Sequence, residues 1–247
     1  MRYLVLTDIH ANLEALDACL ADARARSCGA TLVLGDLVGY GADPNAVVER
    51  VQELGPVAIV RGNHDKVACG LDQAEGFNSV AKSAARWTLE TLKPEHRTWL
   101  CELPEGPTIV DEIVEICHGS PFDEDAYIFD ELDAVRALKV STRQLCLFGH
   151  THYPMTFELT ADRFDSAGPA TSAEIRLVLR EGAKYLVNPG AVGQPRDGDP
   201  RAAYAIADTK ARVVELFRLQ YPVEITQGKI IDAGLPEVLA QRLGVGR

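Results

Sequence analysis

The sequence lacks several features that would assign it to common classes of protein. Its six cysteines are scattered, and none belongs to a C-x-x-C pair. We expect these thiols to be reduced and buried, as in a cytoplasmic protein, and we expect none of them to bind a metal ion. No apolar run approaches the length of a transmembrane helix, and an apolar strand begins at once in place of a signal peptide. The sequence therefore predicts a cytoplasmic chain with no membrane partner.

Positive charge is also scarce. The chain has 25 Lys and Arg residues against 36 Asp and Glu, which gives a formal net charge of −11. No basic surface dominates, so we do not expect non-specific binding to nucleic acid or to an anionic membrane. An anionic substrate is still compatible with this balance, because bound divalent cations can reverse the local field.

The first third of the sequence alternates between short apolar runs and amphipathic stretches. Strands are predicted over residues 3–6, 31–34 and 57–60, and helices over 12–26 and 44–54. This alternation is typical of a parallel sheet with right-handed crossovers, and it predicts the α/β fold class.

The pattern changes in the rest of the chain. Two helices are predicted over residues 77–92 and 94–103, and a terminal helix over 236–243. After Gly149 most of the periodic segments indicate strands, whereas residues 162–173 are small and polar and predict a loop.

Five of the six histidines lie in short motifs with Asp and Asn. In chain order the motifs are Asp8-Ile9-His10, Gly35-Asp36, Gly62-Asn63-His64-Asp65, His118 and Gly149-His150-Thr151-His152. Histidine is the commonest metal ligand, and carboxylate and amide oxygens complete sites of this kind. Each motif follows a predicted strand, since strands are also predicted over residues 113–117 and 145–148. The carboxyl ends of parallel strands form the edge where ligands bind. Each motif is weak alone, but together they indicate metal-assisted hydrolysis at a site for two metal ions.

This ordered set resembles the calcineurin-like metallophosphoesterase superfamily, whose motifs run D-x-H, G-D, G-N-H-[DE], H and G-H-x-H. The resemblance covers residues 3 to about 206. Within that superfamily the sequence is most similar to small prokaryotic phosphoesterases related to diadenosine tetraphosphatase-like proteins. This narrower resemblance depends on residues 35–41, 118–121 and 188–193.

The resemblance implies a fold and a domain organisation. The fold is a four-layer α/β/β/α sandwich with a dinuclear metal site at the C-terminal edge of the strands. The metallophosphoesterase domain would span residues 1–220, with a helical insert at about 77–103 that covers the pocket. Residues 221–247 would form a C-terminal extension with one short helix.

The resemblance also implies seven metal ligands. The first metal takes Asp8, His10 and His152, the second takes Asn63, His118 and His150, and Asp36 bridges both. A shared carboxylate offsets the repulsion between two cations. Donors without thiolate suit two divalent transition metal ions, with Mn as the first expectation and Fe, Zn, Co or Ni as alternatives.

The remaining motif residues are expected to act on the substrate. The resemblance implies that a water between the metals loses its proton and attacks phosphorus, while His64 protonates the departing oxygen. Asp65 would hydrogen-bond to the other ring nitrogen of His64. The alternative is that His64 is a structural loop residue whose hydrogen bonding is satisfied by Asp65. We expect Asn63 and Arg61 to bind the substrate, although Arg61 is equally compatible with an ion pair to a neighbouring acid.

Two further arginines follow the 188–193 stretch. Arg196 and Arg201 could border the pocket, but a plain turn between strands is the preferred interpretation.

These residues predict a phosphodiesterase or phosphomonoesterase that hydrolyses a small phosphorylated substrate. A nucleotide is one candidate for that substrate. A protein serine/threonine phosphatase is an alternative, but the long substrate grooves of that branch are not recognisable in the sequence. A non-catalytic scaffold of the same fold is another alternative, and the complete ligand set counts against it. The acidic balance makes nucleic acid an unlikely partner. The oligomeric state is not predicted.

Overall fold

The computed structural model describes residues 1–168 and 172–247, which form two mixed β-sheets with flanking helices. The strands are β1 (Arg2–Leu6), β2 (Ala30–Val33), β3 (Ala58–Ile59), β4 (Thr108–Ile109), β5 (Val114–Ile116), β6 (Leu145–Leu147), β7 (Pro154–Leu159), β8 (Phe164–Ala167), β9 (Glu174–Val178), β10 (Lys184–Pro189), β11 (Ala202–Asp208) and β12 (Val213–Leu219). The helices are α1 (Leu13–Ala25), α2 (Pro44–Leu54), α3 (Asn63–Cys69), α4 (Ser79–Thr91), α5 (Pro94–Cys101), α6 (Glu131–Val140), α7 (Val223–Asp232) and α8 (Glu237–Leu243).

The first sheet has the strand order β3-β2-β1-β11-β12-β9. Strands β1, β2 and β3 are parallel, with Leu4 opposite Thr31 and Leu32 opposite Ala58. This confirms the parallel arrangement predicted from the first third of the sequence. Strand β11 joins β1 in the antiparallel sense, and β12 and β9 continue that half of the sheet.

The second sheet has the strand order β4-β5-β6-β10-β7-β8. Strands β5, β6 and β10 are parallel, so their carboxyl ends share one edge. Strand β8 lies within the stretch predicted to be a loop, and that prediction is wrong for these residues. They pair with β7 as an edge strand, and their polar character reflects the largely exposed side chains of such a strand. Residues 169–171 of the predicted loop lie outside the described residues.

The two sheets pack face to face through alternating side chains. Val5 and Leu32 of the first sheet share a buried cluster with Val187 of the second. Leu4 and Leu6, which point to the opposite face of β1, pack against the helices of the other side. Helix α6 covers the outer face of the second sheet in a separate cluster. The predicted four-layer α/β/β/α sandwich is therefore confirmed.

The last segment of the chain contains two helices, α7 and α8, although one was predicted. The sequence of α7 is rich in β-branched residues and contains Gly228, so its helical propensity is low. Tertiary contacts stabilise it: Thr226 donates to the Asn12 side chain at 3.1 Å, and Lys229 pairs with Glu14 and Asp43. Both helices pack on the rest of the fold. The predicted boundary at residue 220, between the domain and a C-terminal extension, stays a prediction.

No helix within residues 1–168 and 172–247 combines the length and apolar character that crossing a membrane requires.

Candidate metal centre and active site

The predicted ligand residues lie together at the edge where β1, β2, β3, β5 and β6 end. One buried group, whose ligand atoms all lie within 4.8 Å of one another, consists of Asp8, His10, Asp36 and His152. A second buried group, whose ligand atoms also lie within 4.8 Å of one another, consists of Asp36, His118 and His150. Asp36 is common to both groups.

The Asp36 carboxylate contacts both groups through one oxygen. Its Oδ2 lies 3.5 Å from Nε2 of His10 and 3.5 Å from Nε2 of His118. Its Oδ1 accepts a hydrogen bond from the backbone N–H of His64 at 2.9 Å, which fixes the carboxylate plane. Asn63, the first residue of α3, has its Oδ1 3.3 Å from His118 Nε2. The amide oxygen therefore faces the second group.

Each of the four histidines uses one ring nitrogen to contact a backbone carbonyl oxygen. The pairs are His10 Nδ1 with Val38 (3.0 Å), His118 Nδ1 with Leu34 (2.8 Å), His150 Nε2 with Asp125 (3.0 Å) and His152 Nδ1 with Gln194 (2.6 Å). A carbonyl oxygen only accepts, so the contacting nitrogen carries the proton. The other nitrogen then directs its lone pair into the group, as in metal-ligating histidines.

The lone-pair nitrogens face one another at short distance. His10 Nε2 lies 3.1 Å from His152 Nε2, and His118 Nε2 lies 3.1 Å from His150 Nδ1. Two lone pairs at this distance repel each other unless a proton or a cation bridges them. The donors are nitrogen and oxygen without sulfur, which suits borderline divalent metals. The residues therefore fit divalent cations.

Burial sets the electrostatics of the carboxylates and imidazoles. It raises the pKa of Asp8 to about 7, and the neighbouring Asp36 charge adds to the rise. It also raises the pKa of Asp36 well above its ordinary value, and it lowers the pKa of His10 and His152. Ionisation of both Asp8 and Asp36 is therefore unfavourable unless positive charge lies nearby. Bound cations would supply that charge.

The backbone turns sharply at five of these ligands. Positive φ angles occur at Asp8 (53°), His10 (49°), Asp36 (53°), His150 (67°) and His152 (62°). Asp and His tolerate this left-handed region better than most residues with a side chain. Such conformations cost on the order of 1–3 kcal/mol each and concentrate at functional sites. The turns direct side chains from separate strand ends towards one centre.

Asp65 has a different role from the one predicted. Its carboxylate accepts hydrogen bonds from the backbone N–H groups of Gly62 (2.9 Å), Leu37 (2.9 Å) and Val38 (3.2 Å). Asp65 is the third residue of α3, so it closes the first helical turn and ties it to the loop after β2. The prediction that Asp65 holds the other nitrogen of the His64 ring is wrong, because Nδ1 of His64 has no hydrogen-bond partner among the described residues and the Asp65 carboxylate binds backbone donors instead.

The His64 ring is buried in an aromatic cage. Its centroid lies 4.3 Å from Tyr40, 4.5 Å from Phe77 and 4.9 Å from His10. Its Nδ1 has no hydrogen-bond partner among the described residues. Burial lowers the pKa of His64, and the positive charge of Arg196 adds to the effect. Packing therefore holds the His64 ring in place.

Arg61 forms ion pairs. Its Nε donates to Glu124 at 2.9 Å and its Nη2 donates to Glu105 at 3.1 Å, while Lys66 reaches the same Glu124 at 3.0 Å. Of the two alternatives that the sequence left open, the structure favours the ion pair over a contact with substrate.

A pocket of about 190 Å³ lies over the two ligand groups. The lining side chains outside the motifs include Tyr40, Phe77, Asn78, Tyr127, Arg196 and Arg242. The preferred interpretation of Arg196 as part of a plain turn is wrong, because its side chain lines this pocket. Arg201 pairs with Asp199. Tyr127 and Arg242 belong to no motif, so sequence reasoning had no signal for them. Helix α4 contributes to the wall, as the predicted cover would, whereas α5 contributes no lining residue.

Comparisons with known proteins agree with this geometry. A family model described as the calcineurin-like phosphoesterase superfamily domain matches residues 1–212. A crystal structure of a metallophosphoesterase from Sphaerobacter thermophilus is similar over 100% of this chain and 99% of its own, with 39% sequence identity and a TM-score of 0.87.

Two further proteins are similar over most of their length. An uncharacterized protein from Methanocaldococcus jannaschii is 36% identical over 98% of this chain and 97% of its own. A crystal structure provisionally identified as a diadenosine tetraphosphatase shares the fold at 15% identity, with a TM-score of 0.53 over 89% of this chain and 94% of its own.

Proposed function

Because the chain belongs to the calcineurin-like phosphoesterase superfamily, we propose that it is a metal-dependent enzyme that hydrolyses a phosphate ester of a small substrate. The ester is a phosphodiester or a phosphomonoester. The observation that carries the proposal is the position of Asp36, whose Oδ2 lies 3.5 Å from a histidine of each ligand group. A shared carboxylate between two sets of nitrogen donors is the arrangement that a two-metal hydrolase requires.

The proposed metal ligands are the seven residues of the motif set. Asp8, His10 and His152 would hold the first ion, Asn63, His118 and His150 would hold the second, and Asp36 would be shared by both. Two divalent ions, with Mn as the first expectation, would supply Lewis acidity and lower the pKa of bound water. The carbonyl contacts of the four histidines support this role, because they keep each ligating nitrogen free of a proton.

His64 is the proposed proton donor to the departing oxygen. Its ring lines the pocket beside Asp36 and Asn63, and its Nδ1 has no protein partner within the described residues. A structural loop histidine would have the hydrogen bond to Asp65, and Asp65 instead binds backbone N–H groups. Since no hydrogen bond in the part of the chain that the structure describes engages the ring as it would a structural histidine, its position in the pocket lining supports a role toward the substrate.

The size of the pocket supports a small substrate. Sites for whole small molecules typically measure roughly 300–1,000 Å³, whereas this pocket measures about 190 Å³. The phosphoryl end therefore enters, and the rest of the substrate lies at the rim. There Tyr127 stacks on His150 at 3.8 Å and on Phe129 at 5.3 Å, and both aromatic residues are about half exposed. Such a surface suits an aromatic group such as a nucleobase.

The proposal is tested by metal-dependent hydrolysis. The protein is stripped with a chelator, and it is then assayed with and without Mn on bis(p-nitrophenyl) phosphate, p-nitrophenyl phosphate, AMP and a phosphoserine peptide. We expect hydrolysis of a small ester that depends on Mn and is lost in Asp36→Asn. Hydrolysis of the peptide alone would favour the protein phosphatase alternative. Absence of all hydrolysis in protein that holds two metal ions per chain would refute the proposal.

The role of His64 is tested by the leaving group. His64→Ala should lower kcat by ~10²- to 10⁴-fold for an alkyl ester, the usual contribution of general acid catalysis. It should change kcat little for a nitrophenyl ester, whose leaving group needs no proton. His96→Ala is the matched control, because His96 contacts Asn45 and lies outside the motifs. Equal losses on both esters would contradict the acid role.

A further inference from the structure

Two arginines from distant parts of the chain face the pocket together. Arg196 follows β10, and Arg242 lies in α8, beyond the residues that the family model matches. The guanidinium carbon of Arg196 lies 5.8 Å from the centre of the Tyr40 ring, and that of Arg242 lies 5.9 Å from it. Two separate segments therefore deliver positive charge to the same aromatic residue.

Neither guanidinium forms an ion pair with an Asp or Glu side chain of the described residues. Arg196 donates from Nη2 to the Tyr40 hydroxyl at 3.4 Å and to the Gln194 side chain at 3.3 Å, and its buried Nε has no partner there. Arg242 donates from Nε to the main-chain oxygen of Arg247, the last residue of the sequence. The acceptors of Arg196 are neutral.

Two other arginines that are not fully exposed pair with side-chain carboxylates. Arg61 pairs with Glu124, and Arg218 pairs with Asp197. Arg143 is half-buried without such a pair and donates to backbone carbonyls, but Arg196 and Arg242 differ from it because they line the pocket over the ligand groups.

The pair is electrostatically unfavourable as it stands. Burial lowers the pKa of Arg242, and the charge of Arg196 lowers it further. Guanidinium groups provide several N–H donors in a planar fork that matches phosphate oxygens. An anion bound between them would relieve the repulsion and satisfy the free donors.

Tyr40 lies close both to the arginines and to the ligand groups. The Tyr40 ring is 4.8 Å from His10 and 4.3 Å from His64. The pocket is continuous from Asp36 and His150 to both arginines. A molecule whose phosphoryl group lies at the metal ligands can therefore extend towards the guanidinium pair.

We propose that Arg196 and Arg242 form a second phosphate subsite, so that the substrate carries a second phosphate group besides the one that reacts. This inference rests on the proposed function and narrows its substrate class to bisphosphorylated compounds. The second phosphate is joined through an anhydride, as in a nucleoside diphosphate, or attached elsewhere on the sugar.

Binding without turnover tests the subsite directly. Inorganic pyrophosphate and inorganic phosphate are titrated into the metal-free protein by calorimetry. Arg242→Gln and Arg196→Gln should each weaken pyrophosphate binding by about tenfold or more, as expected for lost hydrogen bonds to a charged group. Arg86→Gln is the matched control, because Arg86 is exposed on α4 and pairs with Glu90. Unchanged pyrophosphate affinity in both pocket variants would overturn the subsite.

Kinetics with metal-loaded protein test the substrate class. We compare AMP, ADP and adenosine 3′,5′-bisphosphate. Wild-type protein should prefer one of the two doubly phosphorylated compounds, and Arg242→Gln should remove that preference by raising KM about tenfold for it while leaving AMP within about twofold. Arg242→Lys should restore part of the preference. An equal loss on AMP would show that the arginines contact the reacting phosphate, which overturns the inference.

Two controls distinguish failure of the phosphate subsite from misfolding of a variant and from failure of the proposed function. A thermal melt verifies that each variant folds, and Arg242→Lys provides a second variant at the same position. If wild-type protein hydrolyses none of the three nucleotides or the simple esters, the proposed function fails. Calorimetry then still decides whether the arginine pair binds phosphate.

Discussion

Gly39 lies directly against the ring of His64. A Cβ atom added to Gly39 would be 2.5 Å from Nδ1 of His64 and 3.0 Å from its Cγ. The φ angle of Gly39 is 88°, in the left-handed region that favours glycine. The loop after β2 thus makes room for the ring, and packing then holds the ring in the pocket without a hydrogen bond to Nδ1.

Gly39→Ala should therefore displace the His64 ring. We expect kcat on an alkyl phosphate ester to fall towards that of His64→Ala, while the metal content stays at the wild-type value. The left-handed backbone conformation should also cost about 1–2 kcal/mol of stability. Gly182→Ala is the matched control, because Gly182 has a φ of 76° and no atom within 4 Å of an added Cβ. If Gly39→Ala lost stability but kept the wild-type kcat, the position of the His64 ring would be unimportant for turnover.

Asp36→Asn should weaken the binding of both metal ions together. The amide keeps an oxygen for the His64 N–H but removes the charge that both ligand groups share. The loss should exceed the ~10- to 100-fold that removal of an outer-shell partner costs. Metal analysis of dialysed protein measures the stoichiometry, with Asp165→Asn as a control on an exposed carboxylate that pairs with Arg163. Loss of a single ion would contradict the bridging assignment.

In the metal-free protein, the stabilisation that protonated Asp8 contributes should be lost as pH rises from about 4 to about 7, whereas the buried histidines, whose pKa burial lowers, contribute in the opposite direction. Burial raises the pKa of Asp8 from 3.8 to about 7, so the folded state holds this proton more tightly than the unfolded state. The stabilisation is complete below pH 4 and is lost as pH rises through 7, with a magnitude on the order of a few kcal/mol. Chemical denaturation in the presence of a chelator measures this.

Two comparisons isolate the contribution of Asp8. The contribution is the stability of the wild-type protein minus that of Asp8→Asn, which keeps the histidines, and this difference should fall as pH rises from about 4 to about 7. Metal-saturated protein should not show this fall, because bound cations favour the ionised carboxylate. A difference that stays constant or rises over this range would count against the raised pKa of Asp8.

Arg61→Ala should reduce stability without affecting substrate binding. The change leaves Glu124 with Lys66 as its remaining charged partner and should cost about 1–3 kcal/mol, as for a lost hydrogen bond to a charged group. The KM for a small ester should stay within twofold. Arg163→Ala removes an exposed ion pair and serves as the control. A large rise in KM without loss of stability would restore the substrate-binding alternative.

Much of the fold could be predicted because local patterns determine it. Apolar runs of four residues and the helical spacing between them predicted β1, α1, β2 and α2 to within one or two residues. Strand β8 could not be predicted, because its polar side chains resemble those of a loop. Helix α7 could not be predicted either, because its stability comes from contacts with α1 and with Asp43 rather than from its own propensity.

The sequence by itself determined which side chains can bind metal and the strand ends to which they belong, since the motifs follow buried strands whose carboxyl ends must share an edge. Tertiary structure alone decided where Asp65 and Arg61 direct their charges, and it brought Arg242 to a pocket built mainly from residues more than 100 positions earlier. Ligand chemistry is a property of residue type and local spacing. The partner of a flexible charged side chain depends on which distant groups the packed layers bring within a few ångströms.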